Sequence, residues 1–252
     1  LAPVFYEGIL QGKVEVDKLV PAGLESEERA KLYGVVFQDP RSQFFTMESD
    51  TEISFGLENK GLTHEEIKKR TKEAFSKFGL EYLENREVFK LSSGERQLIA
   101  IMAAWAMDTD IILLDEPTAN LDYSAIEKLK EILLLLKKNG KTLIISEHRL
   151  YYLQDLADEF WLIKRGSIYE KYGQNKFMAF SQRELNDLGL RVTDLKQIPI
   201  GDGQSNIGSD KLEVRSLSFG YKKQKILKDV SFTASLGEVN CFIGKNGCGK
   251  TT

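Results

Sequence analysis

Cysteine and histidine are scarce in this chain, two of each among 252 residues. Cys241 and Cys248 fall in an expected strand and in a glycine-rich loop. Neither a disulfide framework nor a thiolate metal site is therefore expected, and a reducing compartment suits the sequence. Long apolar runs are missing as well. None approaches the roughly 18 residues needed to cross a bilayer, and no secretory leader is recognisable, so the expectation is a soluble or membrane-peripheral chain. Nor does charge of one sign dominate. With 35 Lys and Arg against 38 Asp and Glu the net charge is -3 and the pI is near 5.7, which removes the case for nucleic acid as the main partner. A chain of this length makes one or two domains.

What is present is concentrated between Leu91 and Asp122. Ile111 to Leu114 is a short, continuous apolar run, the pattern of a strand buried on both faces of a parallel sheet. It ends in two carboxylates, Asp115 and Glu116. At the carboxyl edge of such a sheet ligands bind, and two adjacent acids can divide the work, one holding Mg²⁺ and the other polarising a water. Upstream, Ser92, Ser93 and Gly94 precede a helix expected over 95–107, whose start offers N–H groups and a positive dipole end to phosphate. Near the other end of the chain, Gly244-Lys245-Asn246-Gly247-Cys248-Gly249-Lys250-Thr251 matches the phosphate-loop pattern G-x-x-x-x-G-K-T and follows an expected strand over 238–243. In such a loop backbone N–H groups cradle phosphates, Lys250 pairs with them, and Thr251 ligands Mg²⁺.

The order Leu-Ser-Ser-Gly-Glu, an apolar helix, four apolar residues with Asp-Glu-Pro-Thr, then Asn-Leu-Asp resembles the signature, Walker B segment and D-loop of an ABC transporter ATPase. That resemblance implies an α/β P-loop NTPase fold with a mostly parallel sheet, an antiparallel β subdomain and a helical subdomain bearing the signature. It implies ATP and Mg²⁺ as ligands. Glu116 would be catalytic with Asp122 of the D-loop, Asp115 would hold Mg²⁺, and Ser92, Ser93, Gly94 and Glu95 would touch ATP held by an opposing cassette. The family's commonest signature is Leu-Ser-Gly-Gly-Gln, so Ser93 and Glu95 depart from it while Gly94, the close-approach position, is kept.

Further segments fit the same family. Tyr33 to Pro40 reads as a strand leading into Gln38, which resembles the Q-loop glutamine, catalytic and a candidate Mg²⁺ ligand; taken alone, a strand-end Gln more often caps a turn, and the downstream motifs reverse that preference. Ser42 to Phe45 and Thr51 to Asn59 resemble the cassettes of energy-coupling-factor importers of vitamins or metal ions. Residues 63–84 read as a helical hairpin opened by a capping box, Thr63 with Glu66, the part that touches a membrane partner in the family; His64 there is a solvated residue. Ser124 to Asn139 is a helix, Thr142 to Ser146 a buried strand, and His148 beyond it resembles the switch histidine that reaches a γ-phosphate. Phe160 to Ile168 reads as a closing β-hairpin. Tyr221 resembles the aromatic on which adenine stacks, although an isolated aromatic more often packs in a core or on the surface. The resemblance adds Gly244, Asn246, Gly247, Gly249, Lys250, Thr251 and Thr252 as ATP ligands.

The order is unusual: a turn and strand over 8–16 with no phosphate loop before it, the back of one cassette over 1–180, a linker over 181–210, and the front of another over 211–252. With Leu1 at one end and Thr252 inside a motif at the other, the chain is expected to be a piece of a fused double-cassette ATPase holding incomplete cassettes. The strand over 238–243 is expected to fold back beside Ile111 to Leu114. The reading is an ATP-hydrolysing importer subunit, peripheral on the cytoplasmic face, with transmembrane subunits and a second cassette as partners. A soluble ABC ATPase should lack the Gln38 to Asn59 pattern, a clamp that only binds ATP should lose Glu116 or His148, and a P-loop kinase has no use for Leu-Ser-Ser-Gly-Glu.

Overall fold

The computed structural model describes residues 9, 11–197, 210–221, 224–235, 239–242, 244 and 248–250. The chain divides into two compact units, Leu1–Thr193 and Asp194–Thr252.

In the first unit a helix α1 (Ser26–Leu32) leads into β1 (Tyr33–Val36), then α2 (Ser49–Asn59), α3 (His64–Phe78), α4 (Ser93–Ala106), β2 (Ile111–Asp115), α5 (Tyr123–Lys138) and β3 (Thr142–Ser146). The three strands form one parallel sheet in the order β1-β2-β3, with Tyr33 opposite Ile111 and Asp115 opposite Ser146. Parallel neighbours need long crossovers, and the helices supply them. Each helix has a local reason to begin where it does. Thr63 and Glu66 close a capping box on α3, Ser92 and Glu95 one on α4, and the Asp122 carboxylate accepts the Ala125 N–H at 3.0 Å at the start of α5. Along α5, Ile126, Leu129, Ile132, Leu133 and Leu136 recur at helical spacing and are all buried, each worth about 1.5–3 kcal/mol over exposure.

The sheet is covered closely on one face. Val36, Ile112 and Leu114 are buried there, and α4 passes so near β1 that a Cβ on Gly34 would lie 3.1 Å from the Cβ of Ala104. The alternate residues Ile111 and Leu113 are only half-buried, and Ile144 of β3 is 57% exposed. The expectation of a strand buried on both faces is thus corrected among the described residues. A continuous apolar run does not by itself dictate two-sided burial: α4 packs against Gly34 of β1, while the alternate residues of β2 and β3 stay partly open.

Beyond β3, β4 (Glu159–Lys164) and β5 (Ser167–Gly173) form an antiparallel hairpin, as the sequence suggests. Two short helices, α6 (Gln174–Met178) and α7 (Gln182–Asp187), follow. Phe177 stacks on Phe160 at 4.0 Å, and Leu185 is buried in the same core, so the compact unit continues past Phe180 to Thr193. Three further expectations change. Residues 11–15 form no strand; instead Val16 and Leu19 exchange hydrogen bonds around Asp17 and Lys18, both at positive φ, a tight turn. The helical pair is α2 with α3, since only a 3₁₀ turn, Glu81–Leu83, follows α3. Helix α4 starts two residues earlier than expected, at Ser93, because its cap is Ser92.

The second unit contains the antiparallel pair β6 (Asp210–Tyr221) and β7 (Gln224–Ser235), with Leu212 opposite Ala234 and several register shifts between. Residues 239–242 carry no strand. The predicted pairing of 238–243 with Ile111 to Leu114 is excluded within the first unit itself: a strand has two edges, and those of β2 are filled by β1 and β3.

Candidate active site

Three parallel strands necessarily deliver their following loops to one edge. Gln38 lies two residues beyond β1, Asp115 ends β2 with Glu116 directly after it, and His148 lies two residues beyond β3. The edge brings Gln38, Glu116 and His148 into contact. The Glu116 carboxylate accepts a hydrogen bond from Gln38 Nε2 at 2.8 Å, and His148 Nε2 stands 3.3 Å from the same oxygen, Oε2. The Glu116 side chain is 28% exposed, sheltered from solvent yet open to a small ligand. Its backbone is at φ 40°, a left-handed conformation that costs a non-glycine residue of order 1–3 kcal/mol. Two hydrogen bonds hold it there, from the Glu116 N–H to the Ser146 carbonyl and from the Ala119 N–H to the Glu116 carbonyl, each at 2.9 Å.

Asp115 is exposed at the strand end. Gln38 donates through Nε2, so its Oε1 remains an acceptor, and the two supply the hard oxygen donors that suit Mg²⁺. Asp122 serves as the N-cap of α5, accepting from the Ala125 N–H and the Ser124 hydroxyl, each at 3.0 Å.

The signature residues have a double occupation. Ser92 Oγ accepts from the Glu95 N–H at 3.3 Å, and Glu95 Oε2 accepts from the Ser92 N–H at 2.8 Å. Beneath them the buried guanidinium of Arg96 donates to the Leu91 carbonyl and to Ser93 Oγ; burial pushes its pKa down. Both serine hydroxyls accept here, so each keeps a proton to donate to an anion. Gly94 is needed by the protein before any ligand arrives. A Cβ there would lie 2.8 Å from the Cβ of Ala125, so the glycine lets the starts of α4 and α5 touch.

In the second unit Lys250 Nζ donates to the Gly244 carbonyl at 2.7 Å, and Gly249 has φ 96°, so the loop is turned back on itself. Asn246, Gly247, Thr251 and Thr252 lie outside the described residues, as does the ring of Tyr221.

One residue was not singled out from the sequence. The Glu147 carboxylate accepts four hydrogen bonds, from the N–H groups of His148 and Arg149, the Thr118 hydroxyl and the Tyr152 hydroxyl. Its place next to His148 was visible; its partner 29 positions away was not.

A family model described as ABC transporter matches residues 6–119. A protein of Pyrococcus furiosus, provisionally named an ABC transporter ATP-binding protein, is 34% identical over 199 residues, which are 79% of this chain and 75% of that one. The chain belongs to the ABC transporter ATPases. YkoD of Bacillus subtilis, provisionally named an HMP/thiamine import ATP-binding protein, is 31% identical over all of this chain and 51% of its own. Among solved structures, cbiO1 of Clostridium perfringens, described as part of the ABC transporter complex cbiONQ, superposes with a TM-score of 0.59 at 28% identity, covering 69% of this chain and 70% of that one. The chain spans about half the length of the curated relatives that match all of it. As in other ABC ATPases, the fold is that of a P-loop NTPase with a parallel sheet and separate antiparallel strands.

Proposed function

We propose that this chain forms the nucleotide-hydrolysing part of an importer's ATPase, acting at the cytoplasmic face of a membrane through transmembrane subunits. The observation that carries the reading is the sharing of Glu116 Oε2 between Gln38 and His148 at the open edge of the sheet. A carboxylate so placed accepts a proton from an attacking water. His148 is within reach to steady that water and the phosphoryl oxygen it approaches. Gln38 is held by the general base itself and loses that bond when it turns toward a ligand, so it reports nucleotide state to the loop that follows it. Asp115 and Gln38 Oε1 would hold Mg²⁺ at this edge, and Thr251 would hold it in the phosphate loop of its own cassette; the ion when bound supplies positive charge to the transferring phosphate. Ser92, Ser93 and Glu95 belong in this reading to a phosphate site shared with a second cassette, and Lys250 to the phosphate loop.

The membrane side of the proposal rests on the surface after Gln38. A buried Glu52 carboxylate accepts from the Phe45 and Thr46 N–H groups at 3.0 and 2.8 Å and fixes that loop. It leaves Phe45 76% exposed, stacked on Phe55, with Met47, Tyr82 and Phe89 also exposed. Phe44 packs on the core instead. No helix among the described residues is long and apolar enough to cross a membrane. The name of YkoD points to import, and that of cbiO1 to work within an ABC transporter complex. The test is phosphate release from ATP by the full-length protein with and without Mg²⁺, together with co-purification of membrane subunits. Mg²⁺-dependent turnover is expected. Tight ATP binding without phosphate release would leave a structural clamp in its place.

A further inference from the structure

We propose that Glu147 is a positioning residue that sets His148 over Glu116, a role that rests on the hydrolytic reading above. Oε1 of Glu147 accepts the N–H groups of His148 and Arg149 at 2.8 and 3.0 Å, while Oε2 accepts the Thr118 hydroxyl at 2.5 Å and the Tyr152 hydroxyl at 3.2 Å. One carboxylate thus ties the segment after β3 to the turn after β2, which sequence leaves 29 positions apart. Thr118 belongs to the turn that opens with Glu116, and that turn is closed by the Ala119 N–H on the Glu116 carbonyl. His148 and Arg149 begin the loop after β3, and Arg149 adds a bond to the Leu121 carbonyl at 3.3 Å. Tyr152 anchors the far side. Thr118 and Tyr152 are each 1% exposed, so these bonds form away from water, where leaving a donor unpaired is costly.

Two loops leaving adjacent strands would otherwise drift independently, and a misplacement of about 1 Å can cost on the order of 10²-fold in rate. With the clamp, the imidazole and the general base move as one body. Burial, and after it the negative charge of Glu147, push the Tyr152 phenol pKa well up, so Tyr152 stays protonated and keeps donating. Glu147 has both oxygens occupied by protein donors and is not itself offered to substrate.

The test uses the full-length protein. In Glu147→Ala kcat for ATP is expected to fall by about tenfold or more while KM stays within about twofold, since what is lost is alignment. Glu147→Gln should recover most of the rate, because its Oε1 still accepts the two backbone N–H groups and the hydroxyls of Thr118 and Tyr152 can turn to accept from its amide. In a His148→Ala background, Glu147→Ala should change kcat by less than about twofold, as residues acting as one unit are not additive. An equal loss in both backgrounds, or an unchanged kcat in Glu147→Ala, overturns the proposal. A wild type without ATPase activity would defeat the hydrolytic reading alone, because amide exchange reads the clamp without turnover. The His148 and Arg149 N–H groups should exchange about tenfold or more faster in Glu147→Ala and near the wild-type rate in Glu147→Gln. Exchange unchanged in Glu147→Ala would end the clamp.

Discussion

Glu116 is held in a left-handed backbone conformation, with one carboxylate oxygen already engaged by an amide and an imidazole. A residue kept in so unfavourable a geometry by bonds to Ser146 and Ala119 is placed for what its side chain must reach. Glu116→Gln preserves shape and the ability to accept from Gln38 and His148, but an amide does not take a proton from water. Phosphate release is therefore expected to fall by about 10²- to 10⁴-fold while ATP binding survives. Steady-state turnover near that of wild type, measured beside a binding titration, would remove Glu116 from the role of general base. At this scale much was legible in the sequence, because Asp115 and Glu116 end an apolar run and His148 follows another. Glu147 was hidden, since the hydrogen bond its carboxylate accepts from Thr118 exists only after β2 and β3 have been laid side by side.

Helices show where periodicity carries information and where it fails. Helix α5 was readable because its buried stripe is wholly apolar. Helix α2 has no wholly apolar stripe, because the face it buries includes Ser49, Glu52 and Ser54; polar residues there look like a solvated surface until Glu52 is seen to hold the Phe45 and Thr46 N–H groups. Helix α4 carries a glycine with two possible reasons to be small. Because the starts of α4 and α5 touch at Gly94, Gly94→Ala should destabilise the protein by about 1–3 kcal/mol through overpacking, read as a lowered Tm without nucleotide. Combining it with Ala125→Gly should return part of the loss, since the contact at 2.8 Å is with that methyl group. An unchanged Tm in Gly94→Ala would leave the ligand as the sole reason for the glycine. The loop after Gln38 makes a separate prediction. Phe45→Asp or Met47→Asp should abolish co-purification with membrane subunits and leave ATP binding intact, as both side chains are exposed and spend nothing on the core. Retained co-purification in both would move the docking surface elsewhere.

On the scale of the whole molecule, the order of motifs announced the family, while the pairing of strands did not follow from it. A sequence shows that 111–115 wants neighbours on each edge but not which strands arrive, and β1 and β3 took both places. The two units also differ in what holds them. The first has a continuous core, in which residues from Val36 to Leu185 are buried. In the second no described residue is buried, and its pairing is a two-stranded ribbon interrupted by register shifts. Such a ribbon is marginal in water by itself, because a few cross-strand pairs do not offset the entropy of ordering the chain. Residues 1–193 expressed alone should therefore unfold in a cooperative thermal transition, followed by circular dichroism, whereas residues 194–252 alone should show none and should exchange their amides at near-unfolded rates. A cooperative transition in 194–252 would mean that this unit carries a core of its own, and its phosphate loop would then be built without help from the remainder of a cassette.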